Sequence, residues 1–153
     1  EFTASDSIHF ADSLKFTTKG GKTVYGGGGI MPDIFVPVDT TGRSAYFLAV
    51  RPLIYRYALN YTEKNRETLN KFTESGEMEK YLDRQALLNH FISFAEENGV
   101  KRDPEGIKLS GQVISIQLKA YIARNILDNK GFYPIWQEID KTLLEAFSYL
   151  ENN

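Results

Sequence analysis

Thr23-Val24-Tyr25-Gly26-Gly27-Gly28-Gly29-Ile30-Met31-Pro32-Asp33-Ile34-Phe35-Val36 divides this chain in two. The residues before it are β-prone. From Ser44 onward, apolar residues recur at helical spacing. Four consecutive glycines lose too much backbone entropy to sit in a helix or a strand. Pro32 fixes its own φ and biases Met31 toward an extended conformation. Ile34-Phe35-Val36 then reads as a short strand ended by Pro37, and Asp39-Thr40-Thr41-Gly42 as a loop.

Toward the N-terminus, Leu14, Phe16 and Thr18 alternate with Lys15 and Thr17 at the period of a strand. Lys19-Gly20-Gly21-Lys22 supplies the positive φ that a tight turn needs, and Thr23-Val24-Tyr25 returns. Residues 14–25 are therefore expected to form a hairpin. Residues 1–11 show no period; Phe2, Ile8 and Phe10 would make a strand or fragments of one. The chain opens Glu1-Phe2-Thr3 without an initiator Met or a signal-peptide pattern, and so reads as a piece of a longer protein.

Toward the C-terminus, Ser44 is placed to cap a helix through Tyr46, Phe47 and Val50. Pro52 either kinks that helix or opens a second one. Leu53, Tyr57 and Tyr61 follow on one face, beside Ile54 and Ala58, and Ser75-Gly76 reads as a stop. Asp83 is expected to cap a helix over 84–98 whose apolar face is Leu87, Leu88, Phe91, Ile92 and Ala95, with Gly99 at C′. After a polar loop at 101–106, Ser110 caps a long helix to about Asp128. Val113, Ile114, Leu118, Tyr121, Ile122, Ile126 and Leu127 form its stripe. Lys130-Gly131 ends it. Pro134 opens a last helix with Trp136, Ile139, Leu143, Phe147 and Leu150 in line. The expected fold class is mainly α: a bundle of four or five helices preceded by a β-hairpin and strand head at about residues 14–36. The expected division is 1–40 and 44–153.

At 153 residues, with 42% hydrophobic residues, 10 Phe and 9 Tyr, the chain can bury a sizeable core. A net charge of −2 provides no basic field for nucleic acid. No apolar run is long enough to span a bilayer. With no cysteine, disulfides, thiolate metal sites and Cys nucleophiles are excluded, while the compartment stays open.

The glycine cluster invites a phosphate-loop reading, but the patterns fail. A Walker loop ending at Gly21-Lys22-Thr23 needs its first glycine where Phe16 stands, and a dinucleotide fingerprint needs glycine where Met31 stands. No helix follows either. The glycines read instead as a close backbone approach to another element. His9 and His90 lack a third ligand at metal-site spacing, and His90 reads as a structural residue beside an apolar helix face. Glu96 and Glu97 read as a solvated helix end. Asp103-Pro104-Glu105-Gly106 lacks the ligand pattern of a calcium loop. The Asn60-Tyr61-Thr62 sequon falls inside an expected helix. Tyr46, Phe47, Tyr55, Tyr57, Tyr61, Phe91, Phe94, Tyr121, Phe132, Tyr133 and Trp136 read as core and interhelix packing, with a surplus left for a partner. No nucleophile–base pair stands out.

Residues 14–24 and Gly29-Ile30-Met31-Pro32-Asp33-Ile34-Phe35-Val36 resemble the end of the peptidase domain in the carboxyl-terminal processing (tail-specific) serine peptidases. That pattern is an apolar strand, a Ser/Gly-Gly-Arg/Lys turn, a returning strand, then Gly-Ile-x-Pro-Asp and a β run. The extra glycines, Val36-Pro37 and the helical tail resemble the Bacteroides-type subgroup. Gln117 to Pro134 is similar, less specifically, to tails of that subgroup. The resemblance implies a periplasmic or envelope endopeptidase, a hydrolase with a Ser–Lys dyad and a PDZ domain, both upstream. Neither dyad motif occurs here, and Lys22 lies in the family's turn without being the dyad Lys. No catalytic, cofactor or metal residue is therefore assigned, and residues 1–153 alone are expected to be inert. The implied partners are the upstream domains and the parent's protein substrates. The tail would regulate access or assemble homo-oligomers. Two further readings stand beside this one: a free-standing helical interaction domain unrelated to proteolysis, and a nucleotide-dependent enzyme that would need phosphate binding at Gly26–Gly29.

Overall fold

Alternation at residues 14–18 and a Gly-Gly turn produce the hairpin. In a computed structural model that describes residues 14–21, 23–26 and 34–152, β1 (Lys15–Thr17) pairs antiparallel with β2 (Thr23–Tyr25). The register sets Phe16 opposite Val24. The Gly21 amide closes the turn onto the Thr18 carbonyl at 2.9 Å, with Gly21 at φ +81°. Gly26 extends the ladder by donating to the Leu14 carbonyl at 2.7 Å. A Cβ there would sit 3.0 Å from the Phe16 ring, so the side chain's absence lets the strands approach. Ile34–Val36, expected as a strand, pairs with no strand among the described residues: a strand exists through a neighbour's hydrogen bonds, and the β1–β2 ribbon gives it none. Residues 1–11 and Gly27–Gly29 lie outside the described residues.

The chain divides into two units, residues 1–39 and 40–153, and the second is mainly helical. Helix α1 (Ala45–Leu69) starts where expected. The Ser44 hydroxyl accepts from the Phe47 amide at 3.1 Å. Pro52 neither ends nor restarts it. The missing amide removes one helical hydrogen bond, and burial of Val50, Ile54, Tyr57 and Ala58 on the same helix offsets that loss. Ser75-Gly76 does not terminate α1, which ends at Leu69. Instead it opens α2 (Ser75–Leu82), a short helix that buries Met78 and Leu82.

Helix α3 (Leu87–Glu97) begins later than expected. Asp83 belongs to the end of α2, and Ala86 enters α3 in the left-handed region at φ 50°. The expected face is observed, with Leu87, Phe91, Ile92 and Ala95 buried and Gly99 at φ +87° after the helix. Helix α4 (Pro104–Trp136) begins earlier than expected. Asp103 caps it by accepting from the Gly106 amide at 3.1 Å, and Pro104 needs no helical amide in the first turn. Ser110, expected as the cap, is fully buried inside α4.

Asp128 is non-helical (φ 53°, ψ −141°) and breaks α4 into arms 104–127 and 129–136. The second arm folds back on the first at Gly131, where a Cβ would lie 2.5 Å from the Ala123 carbonyl oxygen. Phe132 and Trp136 stack at 4.9 Å, and Tyr121 meets Trp136 at 6.1 Å and Tyr55 of α1 at 5.4 Å. Pro134 therefore lies inside an arm of α4 and opens no new helix. A 3-10 turn (Gln137–Ile139) follows, and Asp140 caps α5 (Lys141–Glu151) by accepting from the Leu143 amide at 3.1 Å. The expected single stripe from Trp136 to Leu150 is thus divided among three elements.

The first arm of α4 is the axis of the bundle and packs against α1, α2 and α3. Two polar links show that α1 and α4 run parallel. At one end the Ser44 amide donates to the Ser110 hydroxyl (2.9 Å), which donates to the Ser44 hydroxyl (2.7 Å), which donates to the Gly106 carbonyl (3.0 Å). At the other, the Asn125 amide donates to the Thr62 hydroxyl at 3.1 Å, and that hydroxyl donates to the Ala58 carbonyl. The Tyr46 hydroxyl is buried with no hydrogen-bond partner among the described residues.

Candidate functional site

The residues set aside as weak candidates stay apart. His90 is exposed on α3, and His9 and Lys22 lie outside the described residues. Glu96 pairs with Arg102 at 3.1 Å. Asp103 is occupied as a helix cap. Asn60–Thr62 lies within α1 and Thr62 is buried. Among the described residues, no three His, Cys, Asp or Glu side chains converge to hold a metal ion. No helix among them is long and apolar enough to cross a membrane.

A different group converges. Gln112, Ser115, Ile116 and Lys119 occur at three- and four-residue steps on α4 and so share one face. That face meets the end of α2 and the start of α3 around a cavity of about 500 Å³, with Leu82, Leu87 and Leu88 as its apolar wall. The volume falls within the range of small-molecule sites. Ala86 lines the same cavity with its backbone in the left-handed region.

Lys119 is the centre of charge. Its ammonium lies 2.5 Å from Glu79 Oε1 and 3.0 Å from Asp83 Oδ1, with its side chain only 12% exposed. Burial disfavours the ammonium, but the hydrogen bonds and charges of Glu79 and Asp83 together outweigh it, so the pKa of Lys119 is raised. Glu138, from the 3-10 turn, completes the group. Burial first, and then the charge of Glu79 and a hydrogen bond to it, raise the Glu138 pKa against the opposing pull of Lys119.

This arrangement decides what Lys119 can do. Ser115 and Lys119 lie one helical turn apart in the cavity, a spacing that invites comparison with a Ser–Lys pair. A lysine base must be neutral, with its pKa lowered. Lys119 is held protonated instead. The Ser115 hydroxyl donates to the Gly111 carbonyl at 2.8 Å. The cavity therefore offers charge and hydrogen bonds for binding rather than a nucleophile.

Sequence reading missed this group because Lys119 and its partners are 36 and 40 residues apart. The one available signal was the alternation of polar and apolar residues at 112–119, which puts Lys119 beside a core face.

No curated protein and no solved structure matches the chain. A family model described as a family of unknown function (DUF8443) matches residues 46–128. The match starts inside the first turn of α1 and ends at the Asp128 break. It includes Glu79, Asp83 and Lys119 but leaves out Glu138 and Trp136. Because it covers more than half of the sequence, the chain belongs to the family of unknown function DUF8443.

Proposed function

We propose that this chain is the non-catalytic C-terminal portion of a carboxyl-terminal processing serine endopeptidase of the periplasm or envelope, with its Ser–Lys dyad upstream. The observation that carries the reading is the hairpin and its sequel. Phe16 pairs with Val24 around the Gly20-Gly21 turn, and Gly-Ile-x-Pro-Asp follows at 29–33. The ribbon leaves Phe16 58% and Val24 40% exposed. Two strands are marginal alone and need a covered face. A place at the margin of a larger sheet would cover it. The helical unit would then assemble the parent or control access to its site. The confinement of the family match to 46–128 favours a second reading, a helical interaction domain unrelated to proteolysis.

The test takes the coding region upstream and the proteins it yields. The reading expects a PDZ-like stretch, a Ser motif and a Gly-Lys-Gly motif ahead of residue 14. The full protein should cleave an unfolded substrate in a manner blocked by serine-directed inhibitors, and residues 1–153 alone should not. Removing 44–153 from the full protein should change its activity or its mass by light scattering. Absence of both upstream motifs, or inhibitor-sensitive cleavage by residues 1–153, sinks the reading.

A further inference from the structure

A second cavity, of about 220 Å³, opens between α1, the first arm of α4 and the folded-back second arm. Its polar lining is Arg43, Arg51 and Gln117, and its aromatic lining is Phe47, Tyr55, Tyr121 and Trp136. Arg51 and Tyr55 lie one turn apart on α1, and Gln117 and Tyr121 one turn apart on α4, so both faces of the cavity carry a polar group beside a ring. The Asp128 break brings Trp136 back to close the third side. Neither Arg43 nor Arg51 has an ion-pair partner among the described residues.

Two unpaired guanidiniums beside an aromatic wall select an anion joined to an apolar body. The guanidinium fork matches a carboxylate in paired hydrogen bonds. Aromatic faces add stacking area at little entropic cost. The volume lies below the roughly 300–1,000 Å³ of sites for drug-sized ligands, so there is room for one ring and a short acid arm.

We propose that this cavity binds a carboxylate carried on a single aromatic or comparably bulky apolar group. Arg43 and Arg51 hold the carboxylate, and the ring packs against Tyr55, Tyr121 and Trp136. The source is either a free aryl acid or the free end of a peptide with an aromatic last residue. The proposal does not depend on the peptidase reading.

Trp136 is the only tryptophan in the chain, so its fluorescence reports on the cavity. Residues 1–153 are titrated with 3-phenylpropionate, a tetrapeptide ending in free-acid Phe, the same peptide as its C-terminal amide, and inorganic phosphate. Calorimetry runs in parallel. At least one free acid should change Trp136 emission saturably, and the amide should bind at least about tenfold more weakly. Arg43→Gln and Arg51→Gln should each weaken binding about tenfold with the helical circular dichroism unchanged. Tighter binding of the peptide acid assigns a chain end, and tighter binding of phenylpropionate assigns a free acid. The proposal is overturned if amide and acid bind alike, if both Arg variants bind as the parent does, or if phosphate binds as tightly as the aryl acid. It is also overturned if fluorescence and calorimetry both stay flat to about 10 mM.

Discussion

Glu138 carries the charge that the Lys119 site leaves over. One ammonium answers to Glu79 and Asp83, and the third carboxylate meets their charge with partial burial. An acid whose pKa is raised by folding is bound more favourably in its neutral form. Its contribution to stability is complete below the unfolded carboxylate pKa, about 4.3, and is lost as pH rises through the raised folded value. Glu138→Gln should therefore melt higher than the parent at pH 7, and the difference should vanish below about pH 4. A lower melting temperature for the variant at pH 7 would show that Glu138 is stabilised as an anion. The site was only partly legible in the sequence. The face at 112–119 could be read from its period, but Glu79, Asp83 and Glu138 reach Lys119 only through packing of separate helices, which no local pattern encodes.

Two glycines lie inside helical elements, and their surroundings make opposite predictions. At Gly131 an added Cβ would press on the Ala123 backbone at 2.5 Å and on Leu127 Cβ at 2.9 Å, so the second arm must shift. Gly131→Ala should cost about 1–3 kcal/mol and lower the thermal midpoint by several degrees. At Gly76 in α2 nothing lies within 4 Å, and Gly76→Ala should raise the midpoint by reducing unfolded-chain entropy. Thermal melts of the pair check both signs; equal shifts would remove the close-packing account of the fold-back. Legibility followed the same division between local and tertiary causes. The hairpin, the Ser44 cap, the α3 face and Gly99 follow from chemistry within a few residues, and all four were readable. The left-handed Ala86 was not, because alanine does not favour φ above zero. The long helix was expected to stop near Asp128, as it does, but the fold-back of 129–136 was not readable, because it rests on packing of Gly131 and Trp136 against Ala123 and Tyr121. Helix α2 was missed because Ser-Gly reads as a stop as readily as a start.

At the scale of the molecule, every buried core residue described lies between Tyr46 and Ile135, inside the second unit. Residues 40–153 should therefore fold alone, with helical circular dichroism and a cooperative melt within a few degrees of the full chain. A broad, non-cooperative melt for that fragment would mean that the first unit supplies part of its stability. Within the second unit, the polar links between α1 and α4 have an effect that burial cannot have. Apolar faces tolerate displacement by a helical turn, about 5.4 Å, because one methyl contact replaces another. The same slide would break the Ser44–Ser110 and Thr62–Asn125 hydrogen bonds together, at both ends of the seam. The two long helices are keyed like a bolt with a tooth at each end. Ratcheting along their common axis is closed to this bundle, and rearrangement is left to the elements around it.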